Sequence, residues 1–184
     1  MQSNYVSYQP TNRHSPNTVK VASAWGDIPT IIKDIIERFG IEQKNAIEFG
    51  VEYGYSTSAL ANYFENVLGI DIFTGDLHAG YKGDIYFETS ENLQSYSNVR
   101  LIKDSYQNFI SNNDDLHFNL AHVDIVHTYE DTFRCGDWCL EHSDIVIFHD
   151  TLSFPDVFRA CQDLSIKHNL TFYNRVTRFG VKGH

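Results

Sequence analysis

Cysteine is scarce in this chain. The three among 184 residues, Cys135, Cys139 and Cys161, are odd in number and form no CxxC pair, so neither a disulfide framework nor a zinc knuckle is indicated, and a reducing, cytoplasmic setting fits best. Cys135 and Cys139 are spaced to share one helical face, and all three read as core filling. Positive charge is short as well: 14 Lys and Arg against 24 Asp and Glu leave a formal charge of −10. Such a surface repels polyanions and anionic lipid, so neither nucleic acid nor a membrane is an expected partner, and a small molecule is. No apolar run is long enough to span a bilayer. Residues 1–18 lack the basic start and apolar segment of a secretion signal, carry no sustained period, and read as a flexible N-terminal arm. Hydrophobic residues at 42% and aromatics at 14% exclude a disordered chain and predict a single domain over residues 19–184.

Within that domain, Ile28, Ile31, Ile32, Ile35, Ile36 and Phe39 recur at helical spacing, with Asp27 as a cap, Pro29 in the first turn and Gly40 as the stop. Short apolar runs follow at Asn45–Gly50, Val67–Phe73, Val99–Lys103, Leu120–Asp124 and Asp144–His149. Helix-compatible stretches separate them: Thr57–Glu65, a segment around Phe109, Tyr129–Leu140 and Pro155–His168. Alternating strand and helix predicts an α/β, Rossmann-like fold: a mostly parallel central sheet with helices on both faces. Thr171–Val176 and Phe179–Lys182 are expected to close it as an antiparallel strand pair.

In such a sheet the ligand sits beyond the carboxyl ends of the strands, so the loop after the first core strand matters most. It reads Glu48-Phe49-Gly50-Val51-Glu52-Tyr53-Gly54-Tyr55-Ser56. The G-x-x-x-G spacing departs from the dinucleotide fingerprint, and Glu48 and Glu52 would repel a pyrophosphate. They suit a cationic ligand instead. Asp71, 21 positions after Gly50, falls at the end of the second strand, where a carboxylate can bond ribose hydroxyls.

Four segments then carry a family likeness: Ile47-Glu-Phe-Gly-Val-Glu-Tyr-Gly-Tyr-Ser-Thr-Ser, Gly69-Ile-Asp-Ile-Phe-Thr-Gly-Asp-Leu-His-Ala-Gly, His122-Val-Asp-Ile-Val-His-Thr-Tyr-Glu and Ile147-Phe-His-Asp-Thr. In this order they resemble the class I S-adenosylmethionine-dependent methyltransferases, specifically the type-24 methyltransferase domain. The resemblance implies a class I methyltransferase fold with S-adenosyl-L-methionine as cofactor. It assigns Glu48, Gly50, Gly54 and Ser56 to the methionine part, Asp71 to the ribose and Asp104 with Ser105 to the adenine edge, and places Tyr53 and Ile72 at the cofactor too.

Asp124, His127, His149 and Asp150 are expected to converge at the mouth, since they end two neighbouring strands. Two roles compete for them. His127 or His149 can act as general base toward an acceptor hydroxyl, beside Asp124. Alternatively Asp124, His149 and Asp150 can hold a divalent metal; an oxygen-rich set suits magnesium, and a mixed imidazole and carboxylate set admits manganese, iron or zinc. Resemblance to metal-assisted sugar, aminocoumarin and catechol methyltransferases points to the second role, although His149-Asp150 departs from the two adjacent oxygen ligands of those relatives. The glycine-rich loop Thr74–Asp84 is a candidate cover, with Asp76 and His78 reaching substrate, and Trp25 is a candidate aromatic wall.

The expected activity is methyl transfer to a hydroxyl of a small acceptor, a sugar or another metabolite. The rival readings are a non-catalytic S-adenosylmethionine-binding or interaction domain, and hydrolase or hydroxylase chemistry on the same scaffold. The chain carries little beyond that scaffold, so a second copy in a homo-oligomer, or the N-terminal arm, is a candidate to complete the acceptor pocket.

Overall fold

A computed structural model describes residues 4–79 and 83–175. In chain order the elements are β1 (Asn4–Tyr8), α1 (Ile28–Phe39), β2 (Asn45–Phe49), α2 (Tyr55–Ala61), β3 (Asn66–Asp71), α3 (Tyr86–Leu93), β4 (Val99–Lys103), α4 (Tyr106–Ser111), β5 (Phe118–Val123), α5 (Tyr129–His142), β6 (Ser143–Phe148), α6 (Pro155–Lys167) and β7 (Thr171–Arg175).

The five strands β4-β3-β2-β5-β6 form one parallel sheet in that order. From β2 the chain winds outward through β3 and β4, then returns to the other side of β2 with β5 and β6. The switch point therefore lies between the carboxyl ends of β2 and β5, where an open parallel sheet leaves a crevice. Strand alternation sends Ile47 and Phe49 to one face of β2 and Ala46 and Glu48 to the other. Ile47, Phe49, Ile70, Ala121 and Val123 pack with Phe109 of α4 and with Cys135, Trp138 and Cys139 of α5. On the opposite face Ala46, Val67, Leu120 and Ile147 pack with Ile28, Ile32 and Ile36 of α1 and with Ala59 and Leu60 of α2. All three cysteines are buried and unpaired.

Helix α1 keeps the boundaries its isoleucine period predicts. Pro29 sits in its first turn, and Gly40 closes it in the left-handed region at φ 65°, donating its backbone N–H to Ile36 O. Asp27 occupies the N-cap position without a side-chain cap bond; its carbonyl accepts from Thr30 N and Ile31 N.

Three elements depart from the sequence-based expectation. Helix α2 runs over Tyr55–Ala61 rather than Thr57–Glu65, because Gly54 at φ 92° turns the chain straight into it. Helix α3, Tyr86–Leu93, was not anticipated: its face is short, with Thr89 and Leu93 as the buried residues. Strand β7 has a partner the sequence did not indicate. β7 pairs with β1, in parallel, with Asn4 opposite Thr171 and Tyr8 opposite Arg175; the other expected strand, Phe179–Lys182, lies outside the described residues. Thus residues 4–8 of the expected arm form a strand. Parallel pairing is possible because β1 precedes the whole domain, so the connection to β7 is long. Among the described residues no helix is long and apolar enough to cross a membrane.

On the apolar face of α1, Ile32 has 0% exposure. Ile32→Ala is expected to lower unfolding free energy by about 2–5 kcal/mol, measured by urea denaturation.

Candidate functional site

Gly50 ends β2 at φ 90°, a backbone region that L side chains rarely adopt. A Cβ on it would stand 1.7 Å from the Asp124 carbonyl oxygen, so only glycine fits between β2 and β5 here. Two hydrogen bonds lock this junction: Gly50 N donates to Ile70 O at 2.9 Å, and Asp124 N to Phe49 O at 2.8 Å. Farther along the loop, Gly54 at φ 92° faces the Leu93 side chain, which a Cβ would meet at 2.8 Å. The glycine loop is thus seated on β3, β5 and α3 together.

Asp71 holds the loop from below. Its Oδ2 accepts from Val51 N at 2.8 Å and Glu52 N at 2.9 Å, and its Oδ1 from Phe73 N at 2.7 Å. Burial raises its pKa, and the three amide donors only partly offset this. Glu52 is raised too, first by desolvation and then by the charges of Asp124 and Asp71. Glu52 thus stands near two other carboxylates, Asp124 and Asp71, an arrangement that favours a cationic guest over a phosphate.

Glu48 does something different. It is fully buried at 0% exposure, its Oε1 takes a hydrogen bond from His122 Nδ1 at 2.8 Å, and its Oε2 accepts from Thr57 Oγ1. Its carboxylate is bonded within the core and does not line the loop.

Asp124, His127, His149 and Asp150 do come together, with ligand atoms all within 4.8 Å of one another. Asp124 follows β5, and His149 and Asp150 follow β6, held beside it by His149 N donating to Val123 O at 3.0 Å. His127 Nε2 lies 2.9 Å from Asp150 Oδ2 and 3.6 Å from Asp124 Oδ1. His149 Nδ1 lies 3.2 Å from Asp124 Oδ1 and 3.0 Å from Asp150 Oδ2. Asp150 adopts φ 55°, strained for a residue with a side chain, while its carbonyl accepts from Ser153 N and Phe154 N. The following turn brings Phe154 flat onto His127, with ring centroids 4.1 Å apart.

Burial disfavours every charge in this quartet, and mutual pairing outweighs it. His127 rises to about 9 and His149 to about 10, each through contacts with Asp124 and Asp150. The two carboxylates are held well below their usual range by the same imidazoles. Even so, both nitrogens of His127 and Nδ1 of His149 are buried without a well-aligned hydrogen bond. Four donors crowd one point rather than pairing off. Two imidazoles and two carboxylates with orphaned nitrogens fit a divalent transition ion such as manganese, iron or zinc better than magnesium, which prefers an all-oxygen shell.

The remaining expected residues divide. His78 reaches the quartet: its Nδ1 accepts from His127 N at 3.1 Å, and its ring stands 5.2 Å from that of His127. Asp76 instead turns its own loop, accepting from His78 N and Ala79 N. Asp104 N donates to Asp71 O, which sets the loop after β4 beside Asp71, while the Asp104 carboxylate accepts from Ser105 N and Asn108 Nδ2. Ser105 caps α4 through Asn108 N. Tyr53, Ser56 and the exposed Ile72 flank the loop. Trp25 stands over His149, with ring centroids 4.8 Å apart. Phe154 and the Glu48–His122 couple were not anticipated. Phe154 carries no local signal, whereas Glu48 and His122 sit at facing register positions of β2 and β5, which strand alternation alone could have paired. A further grouping, Asp137, Glu141 and His168, is neutralised from within: Asp137 binds Lys167 Nζ and His168 Nε2.

The type-24 methyltransferase domain profile matches residues 47–151, from the glycine loop through the last member of the quartet. A Sinorhizobium fredii protein, y4gI, is 28% identical over 122 residues, which is 60% of this chain and 13% of that protein. The chain therefore spans about an eighth of that relative's length. Solved structures share the fold, two of them as follows. One, from Staphylococcus aureus and provisionally assigned as a caffeoyl-CoA O-methyltransferase, has TM-score 0.51 and 19% identity over 68% of this chain and 57% of that one. The other, from Pyrococcus horikoshii and provisionally assigned as an RNA methyltransferase, has TM-score 0.54 and 17% identity over 83% and 74%.

Two outcomes are expected of this geometry. Gly50→Ala drives a methyl group into the Asp124 carbonyl, so it will displace the loop, lower the melting temperature and remove cofactor binding in calorimetric titration. In metal-free buffer with EDTA, the imidazole share of quartet pairing is fully present below about pH 6.5, the unfolded histidine value, and is lost as pH rises through about 9 and 10. Thermal melting of the wild type will fall over that window, and the fall will flatten in a His127→Gln/His149→Gln variant.

Proposed function

The chain belongs to the type-24 methyltransferase domain family of class I S-adenosylmethionine-dependent methyltransferases, and from that premise we propose that it methylates a hydroxyl of a small acceptor with the help of a divalent metal ion. The observation that carries this reading is the quartet Asp124, His127, His149 and Asp150, placed beside the glycine loop at the switch point.

S-adenosylmethionine supplies an electrophilic methyl group on a sulfonium. Glu52 and Asp71 flank its expected place with negative charge, and the loop amides bound to Asp71 hold that carboxylate in position. Asp124, His149 and Asp150 would hold the ion, whose Lewis acidity favours ionisation of a hydroxyl nearby. His127 takes the acceptor proton at Nε2. While both carboxylates pair with it, its pKa near 9 keeps it protonated at neutral pH, so it becomes a base once Asp124 and Asp150 turn to a cation. Phe154 stacked on one face and His78 at its edge fix the ring's orientation. A small acceptor is favoured over RNA by the formal charge of −10, and a cytoplasmic setting by three unpaired cysteines.

Release of S-adenosylhomocysteine from a panel of sugars and other hydroxylated acceptors is expected to require a divalent ion and to stop in EDTA. Asp124→Ala is expected to abolish transfer while leaving S-adenosylmethionine affinity within about threefold, under about 1 kcal/mol. Unchanged turnover in that variant would remove Asp124 from the chemistry. Binding without turnover by the wild type, on every acceptor and metal, would leave a cofactor-binding module.

A further inference from the structure

Strand β6 ends the sheet, and the space beside its outer edge is not filled by a further strand. After Asp144 its residues Ile145, Val146, Ile147 and Phe148 are all apolar, the pattern of a strand covered on both faces. Yet among the described residues β6 pairs with β5 alone. Strand β7 runs instead with β1 and is propped away from β6 by three contacts. Tyr173 meets Phe39 of α1 with ring centroids 5.3 Å apart, Phe172 meets Phe158 of α6 at 5.8 Å, and Thr151 Oγ1 donates to Asn174 Oδ1 at 3.0 Å.

The room so left is a cavity of about 860 Å³, within the range of small-molecule sites. Ile31 and Ile35 of α1, Ile145 and Ile147 of β6, Leu164 of α6 and Phe172 of β7 supply its apolar wall. One end is formed by Trp25, His149 and Asp150, the last two being members of the quartet; the other lies by Asp144, at the opposite end of β6. That strand has 6 residues, so the cavity follows it for roughly 16–20 Å at ~3.3 Å per residue. Its charged lining is one-sided. Asp27, Asp144 and Asp150 are there, and among the described residues that line it there is no Lys or Arg. A phosphate or carboxylate carried into this space would lose its water and meet carboxylates in return. A polyhydroxylated ring would lose hydrogen bonds that isoleucine and phenylalanine walls do not replace. An apolar body with a single hydroxyl suffers neither loss: the body displaces water from the walls while the hydroxyl stays at the polar end, beside His149 and Asp150.

We propose that this cavity is the acceptor site, and that the acceptor is a hydrophobic alcohol or phenol without an anionic group, its body laid along β6 and its hydroxyl at the quartet. This rests on the methyltransferase reading above and narrows it, away from sugars and from phosphorylated acceptors. In that pose the acceptor oxygen takes the methyl group as the methyl–sulfur bond breaks, the bonding pair stays on sulfur, and the hydroxyl proton goes to His127.

Three probes test the assignment in the full chain: 2-naphthol, which has the apolar body and one hydroxyl, 2-naphthyl phosphate, which has the same body and an anion, and glucose. In fluorescence titration 2-naphthol is expected to bind at least tenfold more tightly than 2-naphthyl phosphate. In methyl NMR it is expected to move the signals of Ile35 and Ile145, which glucose will leave in place. Ile35→Trp fills the cavity about two turns along α1 from its Trp25 end. It is expected to weaken 2-naphthol at least tenfold and to leave S-adenosylmethionine within about twofold; the wild-type NMR signals decide the matter if this variant does not fold. With S-adenosylmethionine and manganese, release of S-adenosylhomocysteine is expected to be at least tenfold faster from 2-naphthol than from glucose. Equal binding of the two naphthyl probes, unmoved Ile35 and Ile145 signals, or faster release from glucose would overturn the acceptor assignment while leaving methyl transfer intact. No release from any acceptor would overturn both.

Discussion

The contact between Gly50 and the Asp124 carbonyl sets where everything else in the site can be. It joins the end of β2 to the end of β5 at less than the distance any side chain allows, and the Asp124 N–H to Phe49 O bond closes the same junction from the other direction. The loop that is expected to receive the cofactor and the carboxylate expected to serve the chemistry are therefore parts of one rigid corner. A parallel sheet supplies that corner for a topological reason: β2 is the strand from which the chain departs in both directions, so the loops after β2 and β5 diverge and leave space above them.

Around this corner the protein concentrates charge that it could have kept at the surface. Glu52 stands near Asp71 and Asp124, and Asp124 and Asp150 share two imidazoles. Each group would be costly to bury alone, and each is tolerated because its neighbours compensate it in part. The compensation is incomplete where it matters. Nitrogens of His127, His149 and His122 remain without aligned partners, Asp150 is held at a positive φ, and like charges stay close around the loop. Strain and unmet hydrogen bonds gathered in one crevice mark the place where the protein is arranged for a guest rather than for its own stability.

Legibility from the sequence differed by element. Helix α1 was readable because its isoleucines repeat at the helical period and a proline and a glycine mark its ends. The five sheet strands were readable as short apolar runs, since both faces of the sheet are covered. The convergence of Asp124, His127, His149 and Asp150 followed from strand ends in a parallel sheet and needed no contact information. Helix α3 was not readable, because only Thr89 and Leu93 on it are buried and two positions make no period. The pairing of β7 with β1 joins Thr171 to Asn4, and no local pattern encodes a partner so distant in the chain.

What the sequence by itself determined is the kind of protein: alternating strands and helices, a glycine bend flanked by acids, and four ligand-type side chains at two neighbouring strand ends. Those features are local, and local spacing is written in the chain. Tertiary structure alone decided which acid does what. Glu48 and Glu52 look alike in sequence, yet one is turned into the core against His122 and Thr57 and the other stands beside Asp71 and Asp124. A carboxylate's role depends on the dielectric and the partners around it, and both are set by residues many tens of positions away.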